Sequence, residues 1–495
     1  MAAVRFQTGW RRFVPVIGYH HVLMIFIAAA IILLSLLLAG CSSTSPLIPD
    51  IYLISLYYHK YAPVFSPTQV DPGVTTAIAN VVGNADLTVR VGYFGMCIRS
   101  EGSGWMCNTN STALADLVSV DQDPLNLRLF DNIVLPASAD FHVHLRQASL
   151  MHTVVSTPQA GGVDTVYVMP NLNPPIDTFL MTLYLNDKIT PEVIHAAKAS
   201  GAIAGVKSYP RGVTTGSDGG VKGVDYSPYY PVFAAMEQAG LVLNLHGECP
   251  FADADAGDEE PEAAADDESA VVDVLNAEEK FLPTLREVVT RFPKLKVVLE
   301  HVTTRAAVEY VRQLKRDGFD NVRATITAHH LWLTVDDWAG DGLNFCKPVA
   351  KREADRRALL RAGLHADGLF FLGSDSAPHL LSRKKGVVGK DGLDKCSAGV
   401  FTQPIVTQLV LEAWEAAVRR GLLREEDVKR PGVVEGFLGV WGREFYGVEQ
   451  SQRRIRIRAG DETVKEILRV EGEDRNDGIV PFWIGKKIYS LEWVE

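Results

Sequence analysis

From residue 135 onward, apolar runs of four to seven residues alternate with segments of helical period. That alternation is the pattern of a parallel sheet, because each strand must return to the same edge through a crossover. Candidate strands end near Leu145, Asn171, Leu185, Lys207, His246, His301, Thr327 and Asp375. Eight β/α units in about 360 residues predict an α/β fold, a (β/α)8 TIM-type barrel with insertions. Residues 253–268 hold nine carboxylates among alanines. Such a composition cannot bury enough apolar surface to order itself, so 251–270 is expected to be a solvated, disordered insertion. One connection is anomalous. The strands "VDTVYVMPN" and "FLMTLYL" are separated only by "LNPPIDT", residues 172–178. A parallel crossover needs about a dozen residues, usually a helix, and two prolines disfavour one. Either these strands are not parallel neighbours or one barrel helix is missing.

The strand ends are polar in a consistent way. "ADFHVHLR" places His142 and His144 at i and i+2, on one side of a strand. The fourth strand ends with Lys207, the fifth with His246, the sixth with His301, and the eighth with Asp375 followed by His379. Taken singly, a strand-end histidine is ordinarily a hydrogen-bonded structural residue, a lysine snorkels or pairs, and an Asp in "GSDS" caps a helix. Hydrogen-bonded core histidines have no reason to recur at the same end of successive strands. Imidazole and carboxylate are the ligands of a divalent metal such as zinc, and the C-terminal rim is where a barrel keeps its active site. An ammonium cannot ligate, so Lys207 must lose its proton or react with carbon dioxide. The resulting carbamate offers two anionic oxygens and could bridge two metals that share a nucleophile. Asp140 has no ligand role in this scheme and is expected to support its neighbours.

At 495 residues the chain is too long for one ordinary domain. Residues 22–40 read VLMIFIAAAIILLSLLLAG, uncharged and long enough to span a bilayer. The tail 1–21 carries Arg5, Arg11 and Arg12, which favours an inside N-terminus. A membrane anchor is the leading reading, with a cleaved signal and a buried helix as alternatives; "LAGC" before Ser42 and Ser43 also matches a bacterial lipoprotein cleavage site. Residues 41–130 contain Cys97, Trp105 and Cys107, then an Asn110-Ser111-Thr112 glycosylation sequon. A Cys97–Cys107 disulfide would suit an extracytoplasmic loop, whereas Cys249, Cys346 and Cys396 are scattered as in a reduced cytosolic enzyme. The net charge of −11 and the lack of a long basic run argue against nucleic acid as a partner.

Residues 135–495 resemble the dihydroorotases of the amidohydrolase superfamily, of the type shared by enteric bacteria and fungi. The resemblance rests on "DFHVHLR", "YVMPNLNPP", "GVKSYPRGVTT", "LNLHGE", "LEHVTT", "FCKPVAKREADRRAL" and "FLGSDSAPH". It implies two zinc ions per chain bridged by carboxylated Lys207. His142, His144 and Asp375 would hold the more buried metal and His246 and His301 the second, with Asp375 also the catalytic proton carrier. Arg146, Asn171 and His379 match positions that grip the substrate carboxylate. Thr214 and Thr215 match a mobile loop, and Lys347 and Ala398 match main-chain contacts to the ring. The implied reaction is reversible cyclisation of N-carbamoyl-L-aspartate to (S)-dihydroorotate in pyrimidine synthesis, by a cytoplasmic homodimer. A related cyclic amidase, hydantoinase or allantoinase in type, and a membrane-tethered inactive barrel are the alternatives. The span at 22–40 with "VGYFGMCIRSEGSGWMCNTNST" resembles the first helix and outer loop of fungal claudin-like calcium-uptake regulators.

The dihydroorotase family carries a helix of roughly twenty residues or more between "NPP" and "TFLM", and a membrane-type leader is foreign to it. Both departures would follow from an imperfect gene translation, with a skipped block and a fusion to a neighbouring reading frame. Sequencing of the transcript tests this: a mature message that carries both the leader and the short connection sinks it.

Overall fold

The computed structural model describes residues 54–58, 87–91, 96–100, 106–108, 128–169, 178–214, 217, 219–250, 271–385, 388–389, 392–393, 396–464, 467–473 and 477–494. The chain divides into two units, 1–127 and 128–495. The hydrophobic stretch 22–40 and the acidic insertion 251–270 lie outside the described residues. Among the described residues, no helix is long and apolar enough to cross a membrane.

In the first unit, β1 (Ile54–Tyr58), β2 (Leu87–Val91), β3 (Met96–Ser100) and β4 (Met106–Asn108) form an antiparallel sheet in sequence order. Cys97 and Cys107 sit directly opposite each other on β3 and β4 and are joined as a disulfide. The segment expected as an outer loop therefore contains a small sheet.

The second unit begins with β5 (Ile133–Pro136), which pairs outside the barrel with β16 (Arg454–Thr463), itself paired to β17 (Lys487–Val494). The eight strands that follow are β6 (Ser138–Val143), β7 (Val163–Val168), β8 (Thr178–Tyr184), β9 (Ile203–Ser208), β10 (Val242–His246), β11 (Val297–Glu300), β12 (Val322–Ile326) and β13 (Phe370–Leu372). They make one sheet in sequence order, with every neighbouring pair parallel. A short ribbon, β14 (Val388–Gly389) and β15 (Gly392–Leu393), follows the last strand. Just beyond β13, Asp375 N donates to His142 O at 2.8 Å and His144 N to Ser376 O at 3.1 Å. These bonds close the sheet into a barrel, as the alternating pattern demands.

Helices α1 (Ala148–Val154), α2 (Pro191–Ser200), α3 (Tyr230–Ala239), α4 (Ala277–Arg291), α5 (Arg305–Arg316), α6 (Glu353–Ala362) and α7 (Val406–Arg419) alternate with the strands. Their starts are encoded locally. Thr304 accepts from Ala307 N at the head of α5, and Thr190 from Val193 N at the head of α2. Val308, Val311 and Leu314 then repeat along the buried stripe of α5.

β7 and β8 are parallel neighbours, with Thr165 opposite Thr178 and Val168 opposite Met181. Of the two alternatives, it is the connection that is abnormal: only residues 169–177 return the chain, of which 170–177 lie outside the described residues. β6, β7, β10 and β11 are buried throughout, whereas Leu180, Met181, Leu183 and Tyr184 of β8 are only partly covered.

The barrel interior has a floor of Ala139, Phe141, Tyr167, Val242, Val298, Phe371 and Phe445. Tyr446, from α8 (Trp441–Tyr446), stacks on Phe141 with centroids 4.9 Å apart. Gly205 on β9 leaves room for the Tyr167 hydroxyl: a Cβ there would lie 2.1 Å from that oxygen and 2.4 Å from Val242 O. Gly205→Ala is therefore expected to cost about 1–3 kcal/mol through overpacking. A urea midpoint equal to that of the parent chain would contradict the tight floor.

Candidate metal centre

Two consecutive residues of β6 point into the barrel. The β6–β7 register shifts between Asp140 and Val143, so three steps on β6 match two on β7. A bulge of this kind re-aims side chains. Phe141 stays in the floor while His142 turns up toward the rim, and His144 follows it. Asp140 supports the bulge. Its carboxylate accepts from His142 N at 3.1 Å, Ser374 N at 2.8 Å and Ser374 Oγ at 2.6 Å. Burial pushes its carboxyl up to about 6 despite these donors.

Above the floor the expected ligands converge. The rings of His142 and His144 are 5.4 Å apart, His142 and His301 5.0 Å, and His246 and His301 4.7 Å. Asp375 Oδ1 lies 3.2 Å from His142 Nε2 and 3.1 Å from His144 Nε2. His142, His144 and Asp375 keep their ligand atoms within 4.8 Å of one another. Lys207 is fully buried, its Nζ has no hydrogen-bond partner among the described residues, and it lies 4.8 Å from the Tyr209 ring. Its charge bears on His142, His246 and His301.

The electrostatics favour neutral imidazoles. Burial pushes His144 down to about 4, lowers His246, and drives His301 well below the ordinary histidine value. His142 is the exception. Burial and Lys207 depress it, but the carboxylates of Glu300 and Asp375 lift it above its usual value. Burial would raise Asp375, yet His142, His144 and His301 hold it well below the usual carboxylate range. Lys207 is pushed down to about 8 by burial, against the pull of Glu300 and Asp375.

Sequence reasoning missed the supports beneath this set. Glu300, within "LEHVTT", takes His142 Nδ1 at 2.9 Å and Thr325 Oγ1 at 2.6 Å. Asn244 Nδ2 donates to Glu300 and to Tyr446, and Tyr167 donates to Asn244 Oδ1 at 2.6 Å. A polar chain therefore rises from the floor to the first ligand. Glu248 in "LHGE" lies 2.8 Å from His246 Nε2. The available signal for Glu300 was an acid ending an apolar strand beside a candidate ligand, and for Glu248 an acid two residues beyond one.

The substrate-side residues are only partly gathered. Arg146 Nη2 is 2.8 Å from His379 Nε2, and Arg146 Nε donates to Pro378 O at 2.9 Å. His379 Nε2 is also 2.8 Å from Ala398 O. One ring nitrogen cannot both accept from the guanidinium and donate to the carbonyl. Only one of the two contacts is therefore a hydrogen bond in either tautomer of the ring. Lys347 is half-buried, and its ammonium is pushed down by burial against the pull of Glu248. Thr214 exchanges hydrogen bonds with Ser217. Asn171 and Thr215 lie outside the described residues.

The chain is 37% identical over 394 residues to the dihydroorotase of Saccharomyces cerevisiae, covering 74% of this chain and 99% of the relative. It is 42% identical over 370 residues to a probable dihydroorotase of Schizosaccharomyces pombe, covering 71% of this chain and 96% of that one. The chain belongs to the dihydroorotase family. A crystal structure of the Saccharomyces cerevisiae dihydroorotase in complex with 5-fluoroorotic acid aligns with a TM-score of 0.62 and 36% identity, over 73% of this chain and 99% of that chain. A dihydroorotase from Campylobacter jejuni aligns at 0.56 and 25%, over 74% and 98%. Residues 74–138 match a different family model, "Ca2+ regulator and membrane fusion protein Fig1", which is the claudin-like resemblance of the first unit. That match runs into the opening strands of the dihydroorotase part.

Glu300→Ala removes the acceptor that orients His142. It is expected to weaken binding of a divalent metal about 10- to 100-fold, read by competition with a chromophoric chelator. Unchanged affinity would deny Glu300 that role.

Proposed function

We propose that the barrel catalyses the reversible cyclisation of N-carbamoyl-L-aspartate to (S)-dihydroorotate at a pair of divalent metal ions, zinc by its ligand chemistry. The observation that carries this is Lys207, fully buried with an unpartnered Nζ whose charge bears on His142, His246 and His301 and faces the carboxylates of Glu300 and Asp375. Burying such a group without a partner is costly, and an inert barrel has no reason to keep it. Condensation of the free amine with carbon dioxide, with loss of one proton, turns the orphan into an anionic ligand. The donors His142, His144, His246, His301 and Asp375 then fit the nitrogen and oxygen preference of zinc.

When bound, the metals make water nucleophilic near neutral pH and polarise the ring carbonyl. The residues of the chain do the rest. In the hydrolytic direction, water adds to the ring amide carbon and the C–N bond breaks. Asp375, ionised at neutral pH, accepts the proton from water and delivers it to the leaving nitrogen. Cyclisation reverses each transfer. Arg146 takes the substrate carboxylate in a two-pronged contact, leaving His379 free to donate to Ala398 O or to the substrate. Two cationic or hydrogen-bonding groups beside the centre favour an acidic ring over a neutral hydantoin.

Turnover of dihydroorotate by the metal-loaded full chain, against hydantoin as the competitor, is the direct test. Chelation should abolish turnover and zinc should restore it. Asp375→Asn is expected to lose about 10²- to 10⁴-fold in kcat. Arg146→Met is expected to cost about 3 kcal/mol, mainly in KM. Full activity in Lys207→Ala would refute the bridging role, and preference for hydantoin would move the assignment to the other cyclic amidases.

A further inference from the structure

Lys384 ends the one-turn helix Leu381–Lys384, is not one of the proposed ligands, and is only 5% exposed. Its ammonium donates three hydrogen bonds, all to main-chain carbonyls: Phe345 O at 2.8 Å, Ser397 O at 3.0 Å and Gly399 O at 2.6 Å. Those carbonyls belong to two loops far apart in sequence. Gly399 N donates to Phe345 O at 3.0 Å, so the loops also touch directly. Ser397 and Gly399 bracket Ala398, and Phe345 lies two residues before Lys347. Gly399 has φ +148°, and a Cβ there would meet the Ala377 Cβ at 2.6 Å and His379 Cδ2 at 2.9 Å. The loop is therefore pressed against the His379 segment with no slack.

The helix that carries the ammonium is tied down at its start. Leu381 N donates to Gly478 O at 2.8 Å, and Ser382 N to Asp477 Oδ1 at 3.1 Å. A buried charge is an expensive way to pack two loops, since an apolar side chain of similar length would do so without desolvating an ion. What it supplies is direction: three carbonyl oxygens must converge on one point, which fixes the peptide planes on both sides of Ala398 and just ahead of Lys347.

We propose that Lys384 is a positioning residue for substrate, fixing through three carbonyls the loop whose Ala398 carbonyl meets His379 and the loop that leads into Lys347. The proposal rests on the dihydroorotase reading. In the zinc-loaded full chain, Lys384→Met should raise KM for dihydroorotate roughly 10- to 100-fold, with kcat near the parent value and metal content unchanged. Lys384→Arg keeps the charge but displaces the donors and should fall between. An unchanged KM in soluble Lys384→Met, measured against an active parent chain, overturns the clamp alone. A loss confined to kcat, or one that follows loss of metal, also overturns it. If Lys384→Met does not fold, Lys384→Arg decides: a raised KM at full metal content supports positioning, and a parental KM reduces Lys384 to a folding element. A metal-loaded parent chain without dihydroorotate turnover would overturn the functional reading and the clamp together.

Discussion

The seam between the first and last barrel strands is the constraint on which the centre depends. Asp375 N to His142 O and His144 N to Ser376 O close the sheet, and the residues that close it are themselves the proposed ligands. Asp140 locks the seam from behind, gripping Ser374 and the amide of His142 with one carboxylate. Fold closure and site assembly are thus one event. A chain that failed to close would leave His142 and His144 on one edge and Asp375 on the other. The cost is a buried acid whose pKa has risen to about 6, so its ionised form at neutral pH works against stability. That cost is offset only where the closed seam is needed.

Strain collects at the same rim. Arg146, His301 and Asp375 adopt φ values of +61°, +40° and +47°, in a region that residues with a Cβ avoid. Such backbone costs on the order of 1–3 kcal/mol per residue and persists where surroundings over-determine it. Here the surroundings are explicit. His301 N is held by Thr325 Oγ1 at 2.6 Å, and Asp375 N by the seam. In each case the twist comes where the strand has ended and the side chain must still turn toward the barrel axis.

The number and order of the strands were legible because a buried parallel strand is a short apolar run whatever its neighbours do. Each observed strand ends within three residues of its expected end. The ligand types were legible because polar residues ended those runs at one rim. The bulge was not. An i, i+2 spacing placed His142 and His144 together, yet Phe141 shares the interior with His142 through a register shift that depends on pairing with β7. The supporting role expected of Asp140 was legible, but Glu300 escaped assignment because it acts by contact with His142 and Thr325, far from it along the chain. Nothing in the sequence singles out Lys384, and only the fold shows that its ammonium meets three carbonyls.

The short return from β7 to β8 shows which layer of the barrel carries the chemistry. The two strands still pair in parallel register, and β8 pairs in turn with β9. On the outer face, Met181 and Leu183 are half-buried where equivalent positions on β6, β7 and β10 are sealed. That deficit is apolar area, a non-directional quantity roughly proportional to what is exposed. The inner layer is governed by directional bonds: the ladder, the seam, and the chain from Tyr167 through Asn244 and Glu300 to His142. A loss of cover on the outside therefore lowers stability without moving the proposed ligands, and the site can persist on a barrel whose described outer face is less sealed along β8.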